Sequence, residues 1–329
     1  MAWKGKRVAV TGAGGFIGSH LVEALVRQGA EVTAVVRYNS RGDDGNLRYV
    51  DPQVRESLKI QRLDLTDMEA TRQALGGAEV IFHLAAFVGI PYSYANPHDA
   101  VLNNVLSTLN VLGVARELGV ERMVQTSTSE VYGSARQVPI PETHVLQPQS
   151  PYSASKIGTD NIALSYHYAF GLPVAVVRPF NTFGPRQSAR AVIPTVITQA
   201  LSGAKVRIGT TTTTRDFTYV EDTVRGFLLA AESPKSVGQV INIGTGREIS
   251  IADAITTIIK AVGRDVPIER DDARLRPEQS EVSRLCADIT RAGELLGYKP
   301  TVTFEEGIKR TVAWISQHLD AYKPEAYAI

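Results

Sequence analysis

The chain has 329 residues, 43% of them hydrophobic and 21% charged, with a formal net charge of +1. That balance permits one large core or two modest ones and gives no bulk attraction to nucleic acid or an anionic membrane, so phosphate binding must rest on local arginines. The single cysteine, Cys286, excludes an internal disulfide and a cysteine-built metal site, and the six histidines show no metal-ligand spacing.

Arg7 to Thr11 reads as a short buried strand, and Gly12-Ala13-Gly14-Gly15-Phe16-Ile17-Gly18 carries it into an apolar helix through Leu25. Strand, glycine turn and helix in that order suit a dinucleotide: Gly12, Gly15 and Gly18 allow a tight turn and close backbone approach, and the N–H groups at the helix start, with Phe16 and Ile17, meet a pyrophosphate. A second strand, Glu31 to Val36, ends at Arg37, where NAD-specific folds usually offer a carboxylate to the adenosine ribose. Arg37, with Arg41 nearby, either holds the 2′-phosphate of NADP or is a solvent-facing charge beside NAD; the residues leave both cofactors open. A third strand, Lys59 to Leu63, places Asp64 and Leu65 at the adenine. After a fourth, the small stretch Leu84-Ala85-Ala86 lets a cofactor pass close to the backbone, while His83 is read as packing.

Tyr152-Ser-Ala-Ser-Lys156 opens a further predicted helix. A free tyrosine has a pKa of about 10, so it needs help to act as a base. Lys156 lies one turn on, on the same face, where an ammonium can lower the phenol's pKa and hold a cofactor ribose, and Thr128 is placed to hydrogen-bond the substrate oxygen. Asp160 is read as a surface partner of Lys156 or a solvated charge.

Strands and helices alternate from Arg7 to about Asn181, which predicts an α/β fold with a Rossmann-type doubly wound parallel sheet over residues 1–181. Residues 182–329 read mainly as a smaller substrate-binding lobe. It has helices at about 193–202, 251–262 and 305–318, short strands near Val206 and Val240, and room for the chain to re-enter the sheet around 215–245. With no signal peptide and no apolar run long enough to span a bilayer, the cytoplasm is the expected compartment and no membrane partner is expected.

Together with His83-Leu-Ala-Ala86, Arg178-Pro-Phe-Asn181 and Arg215-Asp-Phe-Thr-Tyr-Val-Glu-Asp222, the glycine turn and the Tyr152–Lys156 pair resemble the extended short-chain dehydrogenase/reductases that act on nucleotide sugars. The resemblance implies a tightly held nicotinamide that oxidises the sugar at C4, after which the ketone acidifies C5. Epimerases then return the hydride to the other face, dehydratases eliminate water across C5 and C6, and decarboxylases lose the C6 carboxylate. It also implies that Arg215 and Arg276 neutralise the diphosphate, that Asn181 contacts it, and that Arg190 shapes the base pocket. Tyr92 and Tyr94 are placed to line the sugar pocket or cap the core, and Glu142 and His144 are given no catalytic role. Relatives pair two helices, here about 101–118 and 152–170, across a two-fold axis. A homodimer is therefore expected, with Val105, Leu109, Leu112, Ile162 and Leu164 as its apolar positions.

Ser127-Thr128-Ser129-Glu130 discriminates among products. Familiar hexose 4,6-dehydratases carry an acid and a base, Asp-Glu, at this pair. Here Glu130 is kept and Ser129 replaces the acid, which argues against plain 4-epimerisation and leaves dehydration and UDP-glucuronate decarboxylation in competition. Gly89 to Tyr94, Arg186 to Pro194, the threonine run before Arg215, and Arg276 to Leu285 resemble legionaminate-pathway (LegB-type) 4,6-dehydratases, which act on nucleotide-linked N-acetylglucosamine (GlcNAc). That resemblance makes a UDP- or GDP-GlcNAc 4,6-dehydratase the expected enzyme. Alternatives are a 4-epimerase, a decarboxylase, a 5,6-eliminating variant, or, in another class, a non-catalytic dinucleotide-binding scaffold.

Overall fold

The computed structural model describes residues 3–203, 205–274 and 277–322. Its centre is a seven-stranded sheet, numbered along the chain β1 (Arg7–Thr11), β2 (Glu31–Arg37), β3 (Lys59–Leu63), β4 (Val80–His83), β5 (Arg122–Thr126), β6 (Val174–Pro179) and β7 (Val240–Ile243). All pairings are parallel and the order is 3-2-1-4-5-6-7. β1, β4 and β6, buried on both faces, read as near-continuous apolar runs, as helix-covered parallel strands do, whereas the edge strand β3 (Lys-Ile-Gln-Arg-Leu) buries only its last residue. Strand order reverses between β1 and β4, which opens a crevice at the carboxyl ends of the strands.

The sequence reading holds closely where side-chain pattern is local. The predicted first and third strands match residue for residue, and the 251–262 helix appears as Ile251–Val262. After β6 the chain leaves the sheet through Thr182–Phe183 and the helix Val192–Ser202. It then returns with the helix Val220–Glu232, which packs on β5 and β6, and with β7. Two buried aspartates hold that return. Asp216 accepts hydrogen bonds from the backbone N–H groups of Thr245, Gly246 and Ala287, and Asp222 accepts from those of Thr301 and Val302. The acidic residues of the Arg215–Asp222 motif thus tie loops of the second half to one another.

The glycine turn is dictated by sterics. Gly12 has φ +70°, and a Cβ there would lie 2.7 Å from the Ala85 nitrogen; a Cβ on Gly18 would lie 2.2 Å from the Gly12 carbonyl oxygen. Gly12→Ala is therefore expected to lower stability by about 1–2 kcal/mol from the left-handed backbone alone. The clash with Ala85 should add to this by pushing β1 and β4 apart. Thermal unfolding of the variant checks it; an unchanged midpoint would contradict the packing described.

Candidate active site

Four strand ends supply the crevice: the Gly12 turn after β1, Leu84–Ala86 after β4, Thr126–Glu130 after β5 and Asn181 after β6. The helix following β1, Phe16–Arg27, starts at Gly15 with no side-chain cap, so its first N–H groups remain open to an anion. The Thr11 carbonyl accepts from Leu84 N at 3.2 Å, and its hydroxyl accepts from Ala85 N at 3.2 Å, which draws the two turns together. His83 is buried between the Thr11 and Thr108 hydroxyls at 2.7 and 3.1 Å, with burial holding its pKa down at about 3. It is a neutral packing group.

The adenosine end is more open. Arg37 is exposed and its guanidinium sits 4.5 Å from the centroid of the Phe87 ring. Asp64 accepts from the backbone and hydroxyl of Thr66, and those bonds hold its carboxyl below the usual range, with a smaller contribution from Arg37. Leu65 is buried, its carbonyl fixed by Asn110.

The helix Pro151–Phe170 is built to present chemistry. Ser150 and Ser153 form a capping box at its start with Pro151 at N1, and Gly171 in the left-handed conformation ends it. Its buried stripe is polar: Tyr152, Ser155, Lys156, Thr159 and Asp160 all face inward. A purely structural helix buries apolar side chains at these spacings, because each buried polar group must find a partner. Tyr152 and Lys156 are 6% and 3% exposed. Burial pushes the Tyr152 phenol well above its ordinary range, Glu130 and Asp160 add to this, and a hydrogen bond from Thr128 pulls the other way. Burial lowers Lys156 to about 8, opposed by Asp160. Lysine thus sits near the point of losing its charge, while the phenol resists gaining one.

Thr128 begins the turn Ser129–Tyr132, and its hydroxyl accepts from Glu130 N at 3.3 Å. Ser129 is buried and Glu130 half-buried, close enough to Tyr152 to act on its charge. Thr128 and Glu130 are therefore brought from one segment to Tyr152 on another, with Ser129 and Lys156 on those same two segments.

The predicted substrate contacts divide. The Oδ1 atom of Asn181 is buried with no protein hydrogen-bond partner among the described residues, as a ligand-binding amide would be. Arg215 is buried, donating to the Thr214 carbonyl at 2.8 Å and to Glu281 at 3.1 Å. Its strand, Thr214–Arg215, pairs with Arg284–Leu285, which brings residues 277–285 against it. Arg276 lies outside the described residues. Arg190 is exposed, close to Gly89 and bonded to Ser188 at 3.4 Å. Tyr92 donates to Asp99 and stacks on Phe87, while Tyr94 hydrogen-bonds Ser280, which itself donates to the Gln149 carbonyl. Tyr92 thus braces its own helical segment, and Tyr94 ties that segment to Ser280 of the second half.

Two expectations are corrected. Asp160 is no surface group: it is fully buried and paired with Arg178 at 3.0 Å, because the inward polar stripe of its helix carries it against β6. Leu112 is fully buried within the chain's own core, so it cannot line a surface for a second copy. The sequence marks Arg178 only as part of a motif and gives no role to Tyr132 or Glu281, because their partners are distant in the chain. Among the described residues no group of three or more His, Cys, Asp or Glu could hold a metal, and no helix is long and apolar enough to cross a membrane.

Comparison with known proteins identifies the family. The family model for GDP-mannose 4,6 dehydratase matches residues 9–311. A UDP-glucuronate 4-epimerase of Thermodesulfobacterium geofontis is 32% identical over 95% of this chain and 97% of its own. A dTDP-glucose 4,6-dehydratase of Streptomyces griseus is 35% identical over 96% and 95%. Among solved structures, the dTDP-glucose 4,6-dehydratase DesIV of Streptomyces venezuelae with NAD bound, a double mutant, superposes with TM-score 0.87 at 31% identity, covering 97% of this chain and 99% of its own. The UDP-glucuronic acid 4-epimerase of Bacillus cereus, in complex with UDP-glucuronic acid and NAD, gives 0.85 at 30%, covering 95% and 99%. The chain belongs to the GDP-mannose 4,6-dehydratase-like family, among the nucleotide-sugar dehydratases and epimerases of the extended short-chain dehydrogenase/reductases.

Proposed function

We propose that the protein is an NAD-dependent nucleotide-sugar 4,6-dehydratase acting on UDP- or GDP-linked N-acetylglucosamine. The observation that carries this reading is Glu130: a carboxylate in the same pocket as Tyr152, near enough to raise its pKa, where a plain 4-epimerase has no use for a second base. The motifs shared with the LegB-type enzymes support GlcNAc as the sugar. NAD is favoured over NADP because the Arg37 guanidinium lies over the Phe87 ring, and because the family's solved neighbours hold NAD.

When bound, the nicotinamide supplies a hydride acceptor, and later a donor, to the sugar. Gly12, Gly15, Phe16, Ile17 and Gly18 would hold its pyrophosphate, Arg37, Asp64 and Leu65 its adenosine, Leu84–Ala86 its path across the sheet, and Tyr152 and Lys156 its second ribose. The open helix start and the close-packed glycine turn fit such a group.

Tyr152 takes the proton of the sugar's C4 hydroxyl, and Thr128 steadies that oxygen. Lys156 remains an ammonium to stabilise the phenolate, offsetting the burial that otherwise keeps the phenol neutral. Once C4 is a ketone, the C5 proton is acidic and Glu130 removes it. The C6 hydroxyl leaves as water, taking its proton from Glu130 or from a water held by Ser129. Asn181, Arg215 and Arg276 hold the diphosphate, with guanidinium forks suited to phosphate oxygens. Arg190 edges the base pocket. A homodimer through the outer faces of Pro97–Leu118 and Pro151–Phe170 would cover Leu109 and Phe170, which are exposed.

Ser129 keeps a second reading open, decarboxylation of UDP-glucuronate, because a hydroxyl is a poor proton donor to the leaving group; 4-epimerisation, which needs no such donor, is the other alternative although Glu130 speaks against it. Mass spectrometry after incubation with UDP-GlcNAc and GDP-GlcNAc tests the choice: the product should be lighter by one water. Unchanged mass with inverted C4 would indicate an epimerase, and loss of carbon dioxide from UDP-glucuronate a decarboxylase. No reaction with any sugar nucleotide would favour a non-catalytic scaffold.

A further inference from the structure

Asp160 and Arg178 form a buried ion pair that the chemistry described so far does not use. Asp160 stands one helical turn beyond Lys156 and is wholly buried. Only its Oδ2 atom is engaged, accepting from Ser127 Oγ at 2.6 Å and from Arg178 Nε and Nη2 at 3.1 and 3.0 Å. The other oxygen, Oδ1, is buried without a hydrogen-bond partner among the described residues. An arginine–carboxylate pair that served packing alone would be expected to close as a two-oxygen fork. Here one carboxylate oxygen is left over, on a residue that shares the buried stripe of its helix with Tyr152 and Lys156.

Arg178 reaches the other way. Its Nη1 donates to the Tyr132 hydroxyl at 3.0 Å, and that phenol donates to Asn242 Oδ1 at 2.7 Å on β7. Tyr132 ends the short turn that begins at Ser129 and contains Glu130. One guanidinium on β6 therefore ties the helix of Tyr152 and Lys156 to the turn of Ser129 and Glu130.

We propose that Asp160 is the counter-ion of the Lys156 ammonium, and that the Asp160–Arg178–Tyr132 chain is the strut that fixes the Tyr152–Lys156 helix against the Glu130 turn. Both are positioning residues: neither needs to touch substrate. The charged and titratable groups around Lys156 assign the role. On its own helix stand Tyr152 and Asp160; from β4 comes His83, held neutral by burial, with Lys156 adding to that; from β6 comes Arg178, turned onto Asp160; and Glu130, from the turn, acts on Tyr152. Asp160 is the carboxylate that opposes the loss of charge burial imposes on Lys156. Removing its charge must lower the lysine's pKa further, so Lys156 would become neutral at a lower pH.

The inference rests on the reading of Tyr152 and Lys156 as the hydride-transfer pair, and its test is kept separate from turnover. Protein labelled with nitrogen-15 at the lysine side chains, with the Lys156 resonance assigned through Lys156→Arg, reports that pKa directly. Wild type should titrate at about 8, and Asp160→Asn lower by about one unit or more. Because Asp160→Asn leaves Arg178 buried without its partner, the double variant Asp160→Asn with Arg178→Met is measured as well. It removes the unpaired guanidinium, leaves the Lys156 ammonium as the buried charge without a counter-ion, and should show a downward shift as well, smaller than that of the single variant because the positive charge of Arg178 is lost too. An unchanged Lys156 pKa in a folded variant of either kind would overturn the counter-ion role. If the shift is found while wild type turns over no nucleotide sugar, the counter-ion stands and the dehydratase reading falls.

Discussion

Tyr152→Phe is expected to lower kcat on the nucleotide sugar by roughly 10³-fold, the scale of losing a positioned general base, while KM changes only a few-fold. The phenol is the group placed to take the C4 hydroxyl proton, and it is buried beside Thr128 and Lys156, where water does not readily replace it. The ring fills its space equally well without the hydroxyl, so the variant should fold, losing at most about 1 kcal/mol for the bond to Thr128. Steady-state kinetics with a parallel thermal melt separates the two effects. A folded variant with wild-type turnover would remove Tyr152 from the chemistry and leave the pocket without a base for C4.

Glu130→Gln should dissect the reaction at the next step. C4 oxidation needs only Tyr152, Thr128 and Lys156, so the first half-reaction should survive. Loss of the C5 proton should slow by about 10²–10⁴-fold, the range for a missing general base. The 4-keto sugar should then accumulate on the enzyme, with absorbance in the reduced-nicotinamide band rising and failing to decay. The same substitution in an epimerase would leave turnover nearly intact, because neither epimerisation step moves the C5 proton. Removing the negative charge should also let the Tyr152 phenol ionise more easily, since Glu130 opposes that ionisation. The acid limb of the oxidation half-reaction should therefore move to lower pH, a direction opposite to that expected if Glu130 served to activate Tyr152.

Much of this site was legible before any coordinates, because its signals are local. The Gly12–Gly18 turn states its own geometry, since φ +70° at Gly12 and the Ala85 backbone against it admit no side chain. Tyr152 and Lys156 are joined by helical spacing, and Ser150 and Gly171 mark where that helix begins and ends. What escaped was the set of charges paired across long sequence separations. Asp160 looks like an i+4 surface partner of Lys156 until Arg178 is found on β6, and Arg178 gives no sign in sequence of reaching Tyr132, 46 residues away. Arg215 is expected at the diphosphate from family likeness, and nothing in its neighbourhood in sequence shows that it donates to Glu281, 66 residues on. Leu112 fits an apolar stripe on its helix, but periodicity alone does not say whether the stripe meets the chain's own sheet or a second copy; here it is buried in the chain's own core. Side-chain pattern tells which groups turn inward, and only the packing of strands from both halves tells what they meet.

On the proposed reaction, Glu130 converts C4 oxidation into elimination, so that the hydride taken from C4 returns to C6. UDP- or GDP-GlcNAc deuterated at C4 tests this in one measurement, with the label located in the product by NMR. The expected product is a 4-keto-6-deoxy sugar with deuterium in the C6 methyl group. Deuterium retained at C4 of a sugar with inverted configuration and an intact C6 hydroxyl would contradict it, and would make the enzyme an epimerase that carries an idle carboxylate.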